Sequence, residues 1–239
     1  MDYQNYVLSN RKNNDYIVIA YKEGDISGDG KNDHVYLIGN RPDGLKSSFL
    51  TDLTLLIQDG DSSKVTKIPL EENAGYNPTV FLGDFTGDRV NDILVSIDSG
   101  GSGGYAFYYV YTFMLGNPKK IFDYSNFNEK YTYEIKYKDN YEVEVKTKDR
   151  KYILNILYKG PNYLSEIYSV NGVLKDPVTG WVNPLGGLYP IDFNRNGVFG
   201  LYATQRVAGR YNADNLGYIQ TSLNWNGKEF VPFFQTLGI

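Results

Sequence analysis

The sequence has no cysteine, one histidine and no long apolar run. Disulfides, thiolate metal sites and a cysteine nucleophile are therefore excluded. The single histidine, His34, argues against a zinc site and against chemistry that needs two imidazoles. No stretch approaches the ~20 apolar residues that span a bilayer, so no membrane span is expected.

The chain also lacks a net positive charge, since its formal net charge is −4. The chain shows no basic footprint of the kind that binds nucleic acid, so nucleic acid is not an expected partner. The segment from Met1 to Asn14 is polar, and no signal peptide is recognised in it. The lack of cysteine does not fix the compartment.

Tyrosine, phenylalanine and glycine are abundant instead, with 23, 12 and 25 copies among 239 residues. Tyrosine suits a sheet surface that is half buried and half wet. Period-two alternation of apolar and polar residues is common, and helical periodicity is hard to find. The clearest alternation runs over 131–158, where polar turns divide it into a three-stranded meander. The sequence therefore predicts an all-β protein.

A segment rich in aspartate and glycine occurs more than once. It reads GDISGDGKND over 24–33 and GDFTGDRVND over 83–92, and a weaker copy, IDFNRNGVFG, covers 191–200. Apolar strand candidates precede and follow each copy, which makes a unit of four strands per 59 residues or so. Such a unit is typical of a propeller blade. The predicted fold is a propeller-like array of about four four-stranded antiparallel units, incomplete or irregular, in a single domain over 1–239.

The acidic segments also predict Ca²⁺ sites, because this ion takes about 6–8 oxygen ligands and a tight loop can supply them from alternate positions. Without an ion, three neighbouring aspartates would repel one another. Loop one is expected to bind through Asp25, Ser27, Asp29, Asp33 and the main-chain carbonyl of Lys31. Loop two is expected to bind through Asp84, Thr86, Asp88, Asp92 and the carbonyl of Val90. The alternative interpretation is a solvated Asp/Gly-rich turn.

The other loops depart from the best pattern. Loop two has Arg89 where loop one has Gly30. The third loop keeps Asp192 but has Gly200 in place of the closing aspartate. With one carboxylate, that loop is expected to hold its turn through side-chain to main-chain hydrogen bonds and to leave the third Ca²⁺ position empty.

The pattern D-x-S-G-D-G-x-N-D over 25–33, followed by an apolar strand, resembles the FG-GAP/VCBS repeat. That repeat is the calcium-loop blade of integrin α-subunit propellers and of many bacterial surface proteins. The match is specific at 25–33, good at 84–92 and degenerate at 192–200. The resemblance implies a propeller-like β architecture, structural Ca²⁺, a secreted or cell-surface setting, and a function in adhesion or recognition.

Catalytic patterns are weak. The segment Gly100–Gly104 matches G-x-S-x-G, but a nucleophile elbow needs a following helix and a histidine base, and here a strand follows. A flexible hairpin is the favoured interpretation, and His34 is expected on a strand surface. A carboxylate pair for glycoside chemistry would have to come from Glu71, Glu72, Asp98 and Asp123.

The aromatic run Tyr105–Phe113 puts five rings on one face of a strand. A strand buried on both faces explains this run best. The alternative is an aromatic platform for sugar rings, which Trp181 and Trp225 would join.

Taken together, these patterns favour a non-enzymatic, Ca²⁺-stabilised recognition, adhesion or scaffold domain on or outside the cell. Its expected partner is a protein or glycan ligand that the sequence does not identify. A polysaccharide-acting enzyme with carboxylates at the propeller mouth is one alternative. A structural protein of a bacterial envelope or spore layer is another.

Overall fold

A computed structural model describes residues 16–44 and 46–239 as antiparallel β-sheets with two short α-helices. The predicted all-β class is confirmed. The segment 1–15, in which no signal peptide was recognised, lies outside the described residues, as does Leu45. Within the described ranges, no helix has the length and apolar character needed to cross a membrane.

The first sheet is a four-stranded meander in sequential order. Its strands are β1 (Ile17–Gly24), β2 (Asp33–Asn40), β3 (Thr51–Gln58) and β4 (Val65–Pro69). Successive side chains of a strand point to opposite faces, and this alternation buries Val35, Leu37 and Leu55 completely. Loop one connects β1 to β2.

The second sheet repeats this arrangement. Its strands are β5 (Tyr76–Gly83), β6 (Asp92–Asp98), β7 (Ala106–Thr112) and β8 (Lys119–Asp123), with loop two between β5 and β6. The aromatic run forms β7, and both faces of that strand are buried. Tyr109 and Tyr111 pack into a core shared with the first sheet, whereas Tyr108 and Val110 pack into a second core with residues near the C-terminus.

The third sheet has eight strands in the order β11-β10-β9-β12-β14-β15-β16, with β13 also paired to β14. Helix α1 (Tyr124–Lys130) leads into β9 (Glu134–Lys138), β10 (Glu142–Lys146) and β11 (Lys151–Asn155), which form the expected meander. Helix α2 (Gly160–Ile167) and β12 (Thr179–Val182) follow. The last strands are β13 (Gly187–Ile191), β14 (Gly200–Ala208), β15 (Asn215–Trp225) and β16 (Phe230–Gly238). Loop three joins β13 to β14.

The third sheet curls until it is nearly closed, like a barrel. Its end strands β11 and β16 approach each other, and side chains bridge them. Arg150 Nη1 and the Tyr152 hydroxyl donate to the main-chain oxygen of Gln235 at 3.2 and 3.3 Å. Inside the curl, Ile135, Val143 and other apolar residues form a third core that helix α2 covers.

The expected propeller of four four-stranded units is not what these sheets form, and that prediction is corrected. Two sheets match the unit, but β13–β16 are part of an eight-stranded sheet because β12 pairs with both β9 and β14. A Cβ atom at Gly180 would lie 2.3 Å from the main-chain oxygen of Ala208, so glycine permits this close pairing. The strands between 123 and 190 do not form a separate four-stranded unit and are part of that sheet.

A buried carboxylate ties the β14–β15 connection to helix α2. The Asp214 side chain is fully buried, with Lys159 Nζ 2.7 Å from Oδ1. Its Oδ2 accepts hydrogen bonds from the Tyr163 hydroxyl at 2.6 Å and the Arg210 amide at 2.9 Å. Burial opposes ionisation of Asp214, but these donors outweigh burial and lower its pKa.

Replacing Asp214 by asparagine should destabilise the protein, because the change leaves Lys159 without its partner charge. We expect the free energy of unfolding at pH 7 to fall by about 3 kcal/mol. The folded-state pKa lies below the unfolded value of about 3.9. The contribution of Asp214 is therefore present above that value and is lost as the pH falls through the folded pKa. Urea denaturation from pH 7 to pH 2 measures both effects.

The matched control for this experiment is Asp176→Asn, which changes an exposed carboxylate and should leave stability nearly unchanged. The difference between wild type and Asp214→Asn should shrink in acid. A difference that is constant across this pH range would contradict the assigned role of Asp214.

Candidate functional site

The carboxylates of loop one bind main-chain amides. Asp25 accepts hydrogen bonds from the amides of Gly28 at 2.7 Å and Gly30 at 2.9 Å. Asp29 accepts one from the amide of Lys31 at 2.8 Å. Both glycines have a φ of +81°, a conformation that glycine adopts without strain. These two aspartates therefore stabilise the turn.

Asp33 closes loop one from inside the protein. Its side chain is completely buried. One oxygen accepts from the amides of Ile26 and Ser27, and the other accepts from the amide of Gly60 in the β3–β4 turn. Three amide donors satisfy this buried charge, as buried carboxylates require. The hydroxyl of Ser27 is buried without a hydrogen-bond partner in the described structure.

Loop two repeats these contacts. Asp84 accepts from the amides of Gly87 and Arg89, Asp88 from Val90, and Asp92 from Phe85 and Thr86. Arg89 adopts φ +70° where loop one has a glycine. Burial raises the pKa of Asp92 to about 6, and the charges of Asp88 and Asp84 add to this effect. As in loop one, the hydroxyl of Thr86 is buried without a partner in the described structure.

The three loops also bind one another. The Asn91 amide donates to the main-chain oxygen of Asp25 at 3.0 Å. The Phe199 amide donates to the main-chain oxygen of Asp84 at 2.7 Å. Asn91 and Phe199 occupy the same position of their loops, and so do Asp25 and Asp84. The loops therefore form a stack, which we call the loop stack (25–33, 84–92 and 192–200), and it joins the three sheets.

Loop three keeps the turn with one carboxylate. Asp192 accepts from the amides of Asn196 at 3.0 Å and Gly197 at 2.8 Å. A Cβ atom at Gly200 would lie 2.6 Å from the main-chain oxygen of Leu223. The closing position of loop three therefore has no room for a side chain.

The interpretation of these loops as calcium-binding is corrected on this geometry. No group of three or more Asp, Glu, His or Cys residues in the ranges 16–44 and 46–239 could hold a metal ion. The aspartates were expected to repel one another without an ion, but their oxygens are already bound to main-chain amides. The loops connect the sheets.

The candidate catalytic residues do not form an active site. The ammonium of Lys120 lies between the carboxylates of Glu71 and Asp123, in contact with both. In glycoside cleavage the two carboxyl groups flank the scissile bond, whereas here a lysine ammonium lies between them. The Tyr21 hydroxyl lies 2.8 Å from His34 Nδ1 on the surface of the first sheet.

The G-x-S-x-G segment docks on the third sheet. Arg206 Nη2 donates to the Ser102 carbonyl at 2.9 Å. The Asn212 side-chain amide donates to the Ser102 hydroxyl at 3.2 Å. Ser102 thus contacts a guanidinium and an amide rather than an imidazole base, and its loop borders the outward side of β12–β16.

This outward side carries a row of aromatic residues. Strand register places Tyr189 beside Tyr202, Tyr202 beside Ser222, and Ser222 beside Phe234. Tyr189 and Phe234 are 54% and 55% exposed. The rings of Tyr189 and Tyr202 lie 6.4 Å apart. Ser222 is small and buried. The surface of the row is therefore formed by the aromatic residues on either side of it.

Polar side chains extend the row along the same side. Thr204, Gln220 and Thr236 lie next to one another across β14–β16, and Arg206 pairs with Tyr218 in the adjacent row. We call this side the aromatic face and define it by Trp181, Tyr189, Tyr202, Thr204, Arg206, Tyr218, Gln220, Phe234 and Thr236. Arg206 is its only charged residue, and none of these residues is acidic.

Trp181 belongs to this face because it pairs with Ala208, which lies two residues beyond Arg206 on β14. Its indole N–H donates to the Asn183 side-chain oxygen at 2.7 Å. The main-chain amide of Asn183 donates to the main-chain oxygen of Arg206 at 2.8 Å, and this bond aligns β12 with β14. Trp225, in contrast, packs against Phe230 at 5.3 Å. Of the two tryptophans expected on an aromatic platform, only Trp181 is therefore on this face.

Sequence reasoning missed the other aromatic residues of the face. The signal was alternation in the C-terminal strands, where buried Leu188, Leu201 and Ala203 alternate with Tyr189 and Tyr202. The longer run Tyr105–Phe113 gave a stronger pattern, but it forms the buried strand β7.

Stability measurements on loop one test the structural role of its carboxylates. Asp33→Asn places an amide N–H against main-chain donors in the core, and we expect the free energy of unfolding to fall by about 2 kcal/mol in buffer with EDTA. Asp29→Asn is the control, because its exposed side chain keeps an oxygen for the Lys31 amide. Equal stability of the two variants in EDTA would contradict this role.

Comparisons with known proteins place the chain in a family. Residues 131–238 match the model of the YybI C-terminal domain. This match starts directly after helix α1, where the third sheet begins, and the single domain over 1–239 stays a prediction. No solved structure matches the chain.

A longer similarity covers most of the chain. A Bacillus subtilis (strain 168) protein described as "Uncharacterized protein YybI" is 46% identical over 224 residues, which cover 93% of this chain and 85% of that protein. The FG-GAP/VCBS resemblance is therefore wrong, since the loop pattern that suggested it occurs in a different family. The chain belongs to the YybI family.

Proposed function

We propose that the protein is a non-enzymatic recognition protein that binds a polysaccharide on the aromatic face. The observation that carries the proposal is the row of Tyr189, Tyr202 and Phe234 on the outward side of a sheet, in which Tyr189 and Phe234 are exposed and Tyr202 is half-buried. Contiguous exposed apolar surface on a folded protein marks an interaction site more often than it marks chance exposure.

The chemistry of the face suits sugar rings. A pyranose has a flat side of C–H groups that stacks on an aromatic ring, and hydroxyls around its edge. Tyrosine and tryptophan combine an apolar ring with a polar group. Thr204, Gln220 and Arg206 add hydroxyl, amide and guanidinium groups that hydrogen-bond to sugar hydroxyls. A chain of sugars would thus meet stacking and hydrogen-bonding groups side by side.

The same face lacks the groups needed to cleave a glycan. Glycosidases of the common type use two carboxyl groups beside the scissile bond, and the residues that define the aromatic face include none. Asp123 ends β8, Glu71 lies in the connection between β4 and β5, and both contact Lys120. Binding without cleavage is therefore the function favoured over a polysaccharide-acting enzyme.

An extracellular or cell-surface location is part of the proposal, because a polysaccharide ligand would be met there. Cell fractionation, followed by detection of the protein with an antibody, tests this part. Recovery in the cytosolic fraction alone would contradict it.

Binding to the face can be tested with a double variant, Tyr189→Ala/Phe234→Ala. Two stacking contacts at about 1 kcal/mol each predict a loss of affinity of more than about tenfold. Affinity gel electrophoresis against soluble cell-wall and plant polysaccharides measures the loss. Both side chains are more than half exposed, so the melting temperature should change little.

The matched control is Tyr21→Ala, which removes a ring that is 45% exposed on the first sheet. It should retain full affinity. Two results would count against the proposal: no retardation of the wild type by any polysaccharide, or equal retardation of the wild type and the double variant.

A further inference from the structure

The seam of the third sheet, where its end strands β11 and β16 approach each other, contains a cavity that is separate from the aromatic face. The end strands β11 and β16 are not paired by a main-chain ladder in the described sheet. Arg150 and Tyr152 instead donate to the main-chain oxygen of Gln235. Side chains therefore close the curl at this point, and they leave space beside it.

That space is a cavity of about 530 Å³, within the range of roughly 300–1,000 Å³ that suits a small ligand. Three parts of the chain line it: residues 130–133 after helix α1, the β10–β11 turn at 147–150, and Pro232 and Gln235 of β16. We call it the seam cavity. It lies at the junction of elements far apart in sequence, so only the folded chain forms it.

The lining is positively charged, in contrast to the net charge of −4 for the whole chain. Lys130, Lys148 and Arg150 contribute three cations, and Asp149 contributes one carboxylate. Lys130 is neutralised by Glu229, which lies at 2.8 Å. Neither Lys148 nor Arg150 forms an ion pair with a carboxylate in the described part of the chain. Two cations are thus available to a ligand.

Tyr131 also forms part of this lining. Its hydroxyl is shielded from solvent and has no hydrogen-bond partner among the described residues. Its ring is held by Phe127, with the ring centroids 4.5 Å apart. A ligand in the cavity would therefore contact other atoms of Tyr131 and not its hydroxyl.

We propose that the seam cavity binds an oxyanion, the carboxylate or phosphate group of a small molecule or of a chain end. Lys148 and Arg150 supply the opposite charge. Arginine suits planar and tetrahedral oxyanions because its guanidinium presents several N–H donors in one plane. This site is separate from the aromatic face and stands if the polysaccharide proposal fails.

Isothermal titration calorimetry with two probes tests the site on the full chain. Inorganic phosphate presents a phosphate group and glucuronate presents a carboxylate. The probe that binds more tightly therefore identifies which of the two groups the cavity prefers. We expect saturable binding of at least one probe. Lys148→Gln and Arg150→Gln should each weaken it about tenfold, since each removes a charged contact.

Lys148→Gln and two further variants make the result specific. Lys148 makes no hydrogen bond in the described structure, so Lys148→Gln keeps the seam intact even if Arg150→Gln loosens it. Tyr131→Phe removes only the shielded hydroxyl, so it should bind as the wild type does while keeping or raising the melting temperature of the free protein. Lys146→Gln makes the same charge change outside the cavity and should bind as the wild type does.

The proposal is overturned by any of three results. The first is no saturable binding of either probe. The second is unchanged affinity in Lys148→Gln and Arg150→Gln. The third is an equal loss in Lys146→Gln, which would show diffuse attraction to positive charge and no defined site.

Discussion

The architecture depends on the capping of main-chain amides by buried or half-buried aspartates in the loop stack. Asp33 is completely buried and binds three amides, and Asp92 binds the two equivalent amides of its own loop, those of Phe85 and Thr86. Main-chain hydrogen bonds then link the loops, because the Asn91 amide donates to the Asp25 oxygen and the Phe199 amide donates to the Asp84 oxygen. The stack sets the positions of the three sheets relative to one another, because each of its loops connects two strands of a different sheet.

This interaction explains why the loops look like metal sites. Ca²⁺ ligation and amide capping both need oxygen side chains at alternate positions and residues that tolerate positive φ. The two functions thus select the same pattern of Asp and Gly. Loop three shows that the junction survives with fewer carboxylates, since Gly200 leaves no room for a closing side chain but the Phe199 hydrogen bond remains.

Both candidate binding sites lie on the third sheet, within the residues that match the YybI C-terminal domain. The curl of this sheet produces them together. Its outward side exposes the aromatic face, and its incomplete closure leaves the seam cavity between Tyr131, Arg150 and Gln235. The first two sheets have a different role, because β7 is buried on both faces and holds the cores of the protein together.

The sequence by itself determined the all-β class, the 131–158 meander, the buried strand β7 and the recurrence of the acidic loops, because these depend on local alternation and spacing. It could not decide which atoms the aspartates bind, since amides such as that of Gly60 come from another turn. Nor could it show that β12 merges two groups of strands, or that Tyr189, Tyr202 and Phe234 lie in one row. Those outcomes depend on register and on close approach between distant segments, which only the tertiary structure decides.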